Sequence, residues 1–346
     1  MILLVLYEEL AAYFVKCIST FALQHKVDVH VIRKEVNKEA PFELNLVNIK
    51  TYNREDYNDK QLMDLARIIK PDALFCGGWS SKVYLKIASQ YKGEIPSVIA
   101  FDNKWEGSLK QHIASIVAPF YITNKFNKCF VPGIEQKKFA QKIGFKEDQI
   151  ITGVYCCDFD LFYNQYLANK AEKQKQFPKR FIYTGRYVEH KGIKDLWQAF
   201  IELQKENPND WELWCLGAGD LEPIVHSKIK HFGFVQPNEL TRYIKDSGVF
   251  VLPSHFEPWG VVVHEYAAAG FPIICSDEVG ARVSFVEQNV NGYIYKAGDV
   301  KELKGQLKKI MNLTKEELVE MGERSVEKAK KITPEIWAET LMRLLN

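Results

Sequence analysis

The stretch "GVFVLPSHFEPWGVVVHEYAAAG", residues 248–270, contains one complete strand–loop–helix unit. Residues 248–254 form a short run of branched apolar residues that is typical of a buried strand. A loop follows at 255–258, and residues 260–269 predict a helix of small apolar residues with Gly270 as its C-cap. A buried strand followed at once by a buried helix is typical of a parallel sheet that helices cover on both faces.

The same alternation of short apolar runs and longer amphipathic runs covers nearly the whole chain of 346 residues. The predicted strands of the first half are "ILLVLY", "VDVHVI", "DALFCGG", "IPSVIAF", "KCFVPG" and "QIITGVY". Those of the second half are "RFIYTGR", "WELWCLGAG", "IKHFGFV", "GVFVLPS" and "FPIICSD". The sequence therefore predicts an α/β protein with two doubly wound parallel sheets.

A change of composition divides these two halves. The segment "NQYLANKAEKQKQFPK" is polar, rich in lysine and poor in branched apolar residues, which predicts a surface helix and a linker. We therefore expect an N-terminal domain at 1–163, a linker at 164–179 and a C-terminal domain at 180–330. A final helix at 331–346 is expected to pack back on the N-terminal domain.

The overall composition excludes several classes of protein. The formal net charge is +2, so no global charge favours a nucleic-acid partner. The seven cysteines match no zinc or redox spacing and predict reduced, buried thiols in a reducing compartment. The chain shows no convincing targeting segment and no run of ~18 apolar residues, so we expect a cytoplasmic protein without a membrane-spanning helix.

Ligands of open parallel sheets bind beyond the carboxyl ends of the strands, where several motifs of the second half lie. Gly185 and Arg186 follow a strand, and Lys191 stands at the start of the next helical pattern. A helix N-terminus with two added cations suits a diphosphate, although two solvated basic residues would give the same pattern. The "GAG" at 217–219 allows either close packing of the backbone or a contact with a ligand.

Two glutamates, Glu257 and Glu265, are separated by seven residues. The first lies in the loop before the predicted helix and the second lies inside that helix, whose N–H groups near Gly260 point out of its start. A phosphate-bearing ligand resting there would have a carboxylate on each side, and carboxylates accept hydrogen bonds from sugar hydroxyls. This arrangement fits a nucleotide sugar; the alternative is a capping acid and a solvated helix acid.

The motifs "GRYVEHKG", "GFV", "LPSHFEPWG", "HEYAAAGFPIICSD" and "NGYIYKAGD" together resemble a retaining glycosyltransferase of the GT-B fold, family 4. The resemblance is specific over 180–300 and mainly architectural in the first half. It implies two Rossmann-like domains that face each other across a cleft. It also implies transfer of a hexose-type sugar from a UDP- or GDP-sugar to a hydroxyl of a glycan or lipid-linked acceptor, in surface polysaccharide or glycoconjugate biosynthesis. The family retains the anomeric configuration and requires neither a metal nor another cofactor.

The resemblance also assigns roles to residues. Arg186 and Lys191 would bind the diphosphate and stabilise its departure, Glu257 would hold the transferred sugar, and Glu265 would take the ribose hydroxyls. The remaining donor-binding positions are mainly backbone, at Gly185, Gly217, Gly233, Val235, Trp259, Gly260 and Val261. Many relatives carry a histidine after an early strand; here "IPSVIAF" runs into Asp102, which could take its place.

Other interpretations stay open at this point. The "DFD" at 158–160 matches a metal motif of a different glycosyltransferase fold, but its setting resembles the interdomain segment of the GT-B family. A nucleotide-sugar epimerase or hydrolase on the same fold and a non-catalytic carbohydrate-binding protein are the rival functions. The first half would bind the acceptor, and its lysines form either a solvated face or a peripheral contact with the inner membrane face: Lys125, Lys128, Lys137, Lys138, Lys142 and Lys146.

Overall fold

The computed structural model describes residues 1–35, 44, 46 and 48–346. The chain divides into two compact units. Unit 1 consists of Met1–Cys157 together with Ile332–Asn346, and unit 2 consists of Asp158–Lys331. Each unit contains its own parallel sheet with helices packed on it.

Unit 1 contains a seven-stranded sheet. Its strands are β1 Ile2–Tyr7, β2 Asp28–Arg33, β3 Ile49–Asn53, β4 Ala73–Gly77, β5 Ser97–Ala100, β6 Lys128–Val131 and β7 Ile150–Thr152. They are parallel and lie in the order β3-β2-β1-β4-β5-β6-β7, with Leu4 of β1 opposite His30 on one side and Leu74 on the other. Residues 3–6 of β1 are fully buried, because both faces of the sheet are covered, and this explains their unbroken apolar run.

The helices of unit 1 that precede the boundary are α1 Ala12–His25, α2 Asp59–Ile69, α3 Lys82–Gln90, α4 Leu109–Tyr121 and α5 Ile134–Lys142. Local sequence sets their starts. The Asn58 side chain accepts the Gln61 N–H while the Gln61 side chain accepts the Asn58 N–H, which forms a capping box at α2. Ser108 caps α4 by accepting the N–H of Gln111.

Unit 2 contains a six-stranded sheet of β8 Arg180–Thr184, β9 Glu212–Leu216, β10 Ile229–His231, β11 Val249–Leu252, β12 Ile273–Ser276 and β13 Gly292–Tyr295. The strands are parallel and lie in the order β10-β9-β8-β11-β12-β13. The chain winds outward from β8 in one direction and from β11 in the other. The crevice beyond the carboxyl ends of these two central strands is where ligands bind in such sheets.

The helices of unit 2 are α6 Phe159–Lys175, α7 Ile193–Glu206, α8 Thr241–Asp246, α9 Val261–Ala268, α10 Arg282–Phe285, α11 Val300–Met311 and α12 Lys315–Ala329. Most of the segment predicted as a linker lies in α6, so the unit boundary falls at 157/158 rather than at 163/164. Buried Phe159 and Phe162 hold the first turn of this otherwise polar helix, and this anchor was not evident from the composition of the segment.

The last helix, α13 Pro334–Leu345, belongs to unit 1 and packs against α1. Its Trp337 is fully buried, and the indole N–H donates a hydrogen bond of 2.8 Å to the backbone oxygen of Val154. All seven cysteines lie in the described part of the chain and are buried thiols outside any disulfide. Among the helices just given, none has the length and apolarity that crossing a bilayer requires.

Candidate functional site

Three of the predicted glycines meet at the carboxyl edge of the sheet of unit 2. Gly185, Gly217 and Gly233 lie in the loops after β8, β9 and β10. The N–H of Gly217 donates to the oxygen of Gly233 at 2.7 Å, and the N–H of Gly185 donates to the oxygen of Leu216 at 3.0 Å. Gly217 has a φ of +139°, and a Cβ there would overlap the carbonyl oxygen of Gly185. Only glycine allows the backbones to come this close, and the three loops therefore meet at the carboxyl edge of the sheet.

Lys191 and Glu257 are in direct contact. The Lys191 ammonium donates to Oε2 of Glu257, and their side chains are only 17% and 11% exposed. Lys191 lies in the turn between β8 and α7, whereas Glu257 lies in the loop after β11. Between these loops Gly192, with a φ of +64°, packs so closely that a Cβ would overlap the oxygen of Pro253. The contact therefore joins the loops of the two central strands, at the crevice of the sheet.

Positive charge is concentrated beside this pair. Arg186 is exposed, and its backbone oxygen accepts a hydrogen bond of 2.8 Å from the Tyr183 hydroxyl. The pKa of His190 is lowered, first by partial loss of solvent and then by the positive charges of Lys191 and Arg186. The backbone oxygen of His190 accepts the N–H of His255 at 2.9 Å, which fixes the turn on the loop after β11. His190 was not predicted as a site residue, although it stands next to Lys191 in "GRYVEHKG".

The loop that carries Glu257 is held rigidly. The backbone oxygen of Glu257 accepts the N–H of Gly280 at 3.0 Å. The Trp259 ring is buried against Phe285, so the indole is not available to a ligand. Gly260, with a φ of +91°, then turns the chain into α9, which begins at Val261. This geometry directs the first N–H groups of α9 out of the helix at the sheet edge.

Glu265 lies in the second turn of α9 and is partly buried. Burial, and next the negative charge of Asp158, raise the pKa of Glu265 to about 7. Asp158 is the N-cap of α6 and accepts the N–H of Leu161 at 3.5 Å. The first aspartate of "DFD" is therefore a helix cap. Within the described ranges, the structure contains no group of three or more His, Cys, Asp or Glu placed to hold a metal ion.

His264 precedes Glu265 but faces the interior. It is fully buried and its Nε2 forms a 3.0 Å hydrogen bond with the backbone oxygen of Ala329. Burial lowers the pKa of His264 to about 4, so the ring is neutral. Val235, the last predicted donor-binding position, lies two residues beyond Gly233 and is partly buried.

Asp102 lies in unit 1, directly beyond β5 at the carboxyl edge of that sheet. The Tyr155 hydroxyl donates to Oδ2 of Asp102 at 3.3 Å. Burial, then Tyr13 and then Asp102 hold the pKa of Tyr7 well above its usual value, so Tyr7 lies near both Tyr13 and the Asp102 carboxylate. This tyrosine cluster was not predicted from the sequence; the one available signal was that Tyr7 and Tyr155 end predicted strands.

The comparisons with known sequences agree with this geometry. A family model described as "Glycosyl transferases group 1" matches residues 167–331, nearly all of unit 2. Over this segment the chain is therefore similar to the glycosyl transferases group 1 family. An uncharacterized glycosyltransferase of Methanocaldococcus jannaschii is 32% identical over 124 residues, which is 33% of this chain and 31% of that protein.

A second relative matches a longer segment. The capsular polysaccharide biosynthesis glycosyltransferase CapM of Staphylococcus aureus is 29% identical over 192 residues, 51% of this chain and 50% of that protein. The matches thus span about a third to a half of the length of these curated relatives.

Solved structures match over almost the entire chain. Sucrose-phosphate synthase from Thermosynechococcus elongatus has a TM-score of 0.70 at 16% identity, and covers 99% of this chain and 98% of that one. HepE of Anabaena, solved in complex with UDP-glucose, has a TM-score of 0.69 at 12% identity and covers 99% of both chains. At this identity the likeness concerns the fold alone. It confirms the predicted GT-B fold with two doubly wound α/β domains.

Proposed function

We propose that the protein is a retaining glycosyltransferase that moves a hexose-type sugar from a UDP- or GDP-sugar to a hydroxyl of a glycan or lipid-linked acceptor. The observation that carries the proposal is the Lys191–Glu257 contact at the crevice of unit 2, with Arg186 beside it. The names of CapM and of the lipopolysaccharide 1,6-galactosyltransferase of Escherichia coli support a role in surface polysaccharide or glycoconjugate biosynthesis. HepE supports a UDP-sugar as the donor.

The donor would lie along the carboxyl edge of the sheet. Its diphosphate would meet Arg186, Lys191 and the outward N–H groups at the start of α9, because cations and helix N-termini both favour phosphate. The ribose hydroxyls would donate to Glu265. The base would rest on the backbone of 233–235, and the sugar would reach Glu257.

The Lys191–Glu257 contact suggests how the two ends of the reaction are coupled. The ammonium of Lys191 contacts the Glu257 carboxylate. A bound donor would place its diphosphate as a second anion beside Lys191 and its sugar beside Glu257. Lys191 would then supply the positive charge that stabilises the leaving diphosphate, and Glu257 would supply the negative charge that stabilises a positively charged sugar.

In the proposed reaction, the bond between the anomeric carbon and the diphosphate oxygen breaks, and its electron pair goes to that oxygen. Lys191 and Arg186 stabilise the growing negative charge, and Glu257 lies near the oxocarbenium character of the sugar. The acceptor hydroxyl forms the new bond on the same face and gives its proton to the departing phosphate. Neither a protein nucleophile nor a metal is required, since two side chains and a helix start supply the positive charge.

Unit 1 would bind the acceptor, with Asp102 at the edge of its sheet. Its carboxylate, beside the Tyr155 hydroxyl, can accept hydrogen bonds from sugar hydroxyls. We propose that Asp102 takes the place of the histidine that many family members carry, and that the enzyme acts in the cytoplasm.

The test is NMR-monitored turnover of UDP-, GDP- and ADP-sugars with a panel of simple glycosides and lipid extracts, in excess EDTA. We expect one donor to give a product with the donor's anomeric configuration, and we expect Lys191→Ala to abolish transfer. Lys194→Ala is the matched control, because Lys194 is a solvent-exposed lysine one turn away that pairs with Glu189. Inverted product, transfer that needs manganese, or conversion of the donor sugar without an acceptor would contradict the proposal, and the last would indicate an epimerase or hydrolase.

A further inference from the structure

Helix α4 of unit 1 carries an apolar stripe that faces solvent. Residues 109, 113, 116 and 120 follow a spacing of four, three and four, so their side chains share one face of the helix. The side chains of Ile116 and Phe120 are 71% and 77% exposed. The full set of exposed large apolar residues on α4 is Leu109, Ile113, Ile116, Val117, Phe120 and Tyr121. We call these six residues the α4 stripe.

The opposite face of α4 packs on the rest of unit 1. The core of unit 1 is therefore covered without the α4 stripe. Ala118 is buried on that face. Pro119 packs against Gly144, where a Cβ would approach the proline ring to 3.0 Å. Thr123, just beyond the helix, donates a 2.7 Å hydrogen bond to the oxygen of Ile143. Soluble monomers rarely leave so continuous an apolar patch uncovered, and such a patch marks a binding surface.

The stripe is bordered by lysines. Lys110 lies on α4 itself, and the Lys125 ammonium stands 5.7 Å from the centre of the Tyr121 ring. The Lys142 ammonium of α5 lies 5.7 Å from the ring of Trp105, in the loop that leads into α4. Between residues 103 and 128 there are four lysines and one acid, Glu106. The surroundings of the stripe are therefore positively charged, although the whole chain is nearly neutral.

We propose that the α4 stripe docks unit 1 on the surface of a bilayer that contains anionic lipid. The apolar side chains would enter the boundary between headgroups and acyl chains, and Lys110, Lys125 and Lys142 would contact anionic headgroups. A second copy of the chain fits this face poorly: a symmetric dimer through α4 would bring the same lysines of both copies together. An anionic bilayer supplies the opposite charge instead.

The proposed membrane contact lies on a different segment from the one expected from the sequence. The lysine-rich segment at 125–146 supplies part of the charged border, but Lys137 pairs with Glu147 and Lys128 reaches the backbone oxygen of Arg343 at 3.5 Å. The apolar part of the surface lies before that segment, on α4. The inference does not depend on the proposed function, since it concerns only the surface of unit 1.

The test is co-sedimentation of the full chain with vesicles of equal parts phosphatidylcholine and phosphatidylglycerol, and with vesicles of phosphatidylcholine alone. We expect the protein to bind the anionic vesicles. The double variant Ile116→Ser/Phe120→Ser should lower the partition coefficient roughly a hundredfold, because burying each large apolar side chain contributes about a factor of ten or more. Ile68→Ser is the matched control, because Ile68 is 76% exposed on α2 and lies outside the stripe.

A second variant tests the charged border. Lys110→Glu/Lys142→Glu should weaken binding to the anionic vesicles by more than about tenfold and leave binding to neutral vesicles unchanged, whereas Lys60→Glu on α2 should change neither. An unchanged melting temperature and unchanged nucleotide binding show that each variant is folded and that unit 2 is unaffected. The proposal is overturned if the wild type does not bind anionic vesicles, or if the Ile116/Phe120 variant binds as the wild type does. A wild-type dimer that becomes a monomer in that variant, without vesicle binding, overturns it in favour of a second copy.

Discussion

Replacing Glu265 by glutamine should stabilise the ligand-free protein and weaken its binding of nucleotide. The pKa of Glu265 rises from its ordinary value of 4.5 to about 7, because burial and then Asp158 disfavour the charged carboxylate. At about 1.4 kcal/mol for each pH unit, this difference corresponds to an upper limit of about 3 kcal/mol for holding the ionised group in the folded protein. Glutamine preserves the shape of the side chain and removes that cost.

The sign of the pH dependence follows from proton linkage. Between pH 4.5 and about 7 the folded state binds more protons at this position than the unfolded state, so the stability of the wild type falls as pH rises through this window. The variant lacks this dependence. The free energy of unfolding of the variant should therefore exceed that of the wild type most above pH 7, by up to about 3 kcal/mol. Near pH 5 the difference should be less than about 1 kcal/mol.

Nucleotide binding should change in the opposite direction. In the proposed donor site a ribose hydroxyl would donate to the ionised carboxylate. Such a charge-assisted hydrogen bond contributes about 1.5–3 kcal/mol, so the variant should bind roughly tenfold to more than a hundredfold more weakly. For the wild type, affinity should fall as pH drops below about 7, because Glu265 becomes protonated.

The assays are urea unfolding at pH 5 and pH 8, and calorimetry with the nucleoside diphosphate that binds the wild type. Glu202→Gln is the control. Hydrogen bonds with Gln198 and then Lys304 lower the pKa of Glu202, so removing its carboxylate should not stabilise the protein. A Glu265→Gln protein that is less stable at pH 8 than the wild type would refute the buried-charge argument. Unchanged nucleotide affinity in the folded variant would refute the ribose contact.

Three further outcomes are expected. Glu257→Gln should keep nucleoside diphosphate affinity near the wild-type value while kcat falls roughly a hundredfold to a thousandfold, because one preorganised electrostatic group contributes about 2.7–4 kcal/mol. Joint loss of binding and turnover, with a lower melting temperature, would mean that Glu257 only orders its loop. Gly217→Ala should lower the free energy of unfolding by more than about 1 kcal/mol and weaken nucleotide binding, because its Cβ overlaps the oxygen of Gly185; wild-type urea unfolding would show that the turn can relax. Transfer should continue in excess EDTA, and activity that returns only with added manganese would refute metal-independent departure of the diphosphate.

The sequence predicted the buried elements best. Central strands such as β1 and β11 are covered on both faces, so their apolar runs identify them directly. Strands β3 and β13 were not predicted. Both are edge strands, and the sequence "IKTYN" of β3 lacks such a run.

The contacts of the site could not be predicted in the same way. Motif spacing placed Lys191 and Glu257 at the ends of two strands, but their contact spans 66 residues and exists because β8 and β11 are neighbours. The meeting of Gly217 with Gly233 likewise depends on the lateral order β10-β9-β8. The coupling of Glu265 to Asp158 depends on how α6 packs beside α9, and the polar composition of α6 gives no sign of it.

The most direct test of the central claim is a calorimetric titration of UDP, GDP and ADP into the full chain in excess EDTA, repeated with Lys191→Ala and Lys194→Ala. The account predicts that at least one of the three nucleotides binds without metal at a single site per chain. Binding should be lost in Lys191→Ala and kept in Lys194→Ala. Failure of all three nucleotides to bind, or binding that survives Lys191→Ala unchanged, would contradict a donor site at the Lys191–Glu257 contact.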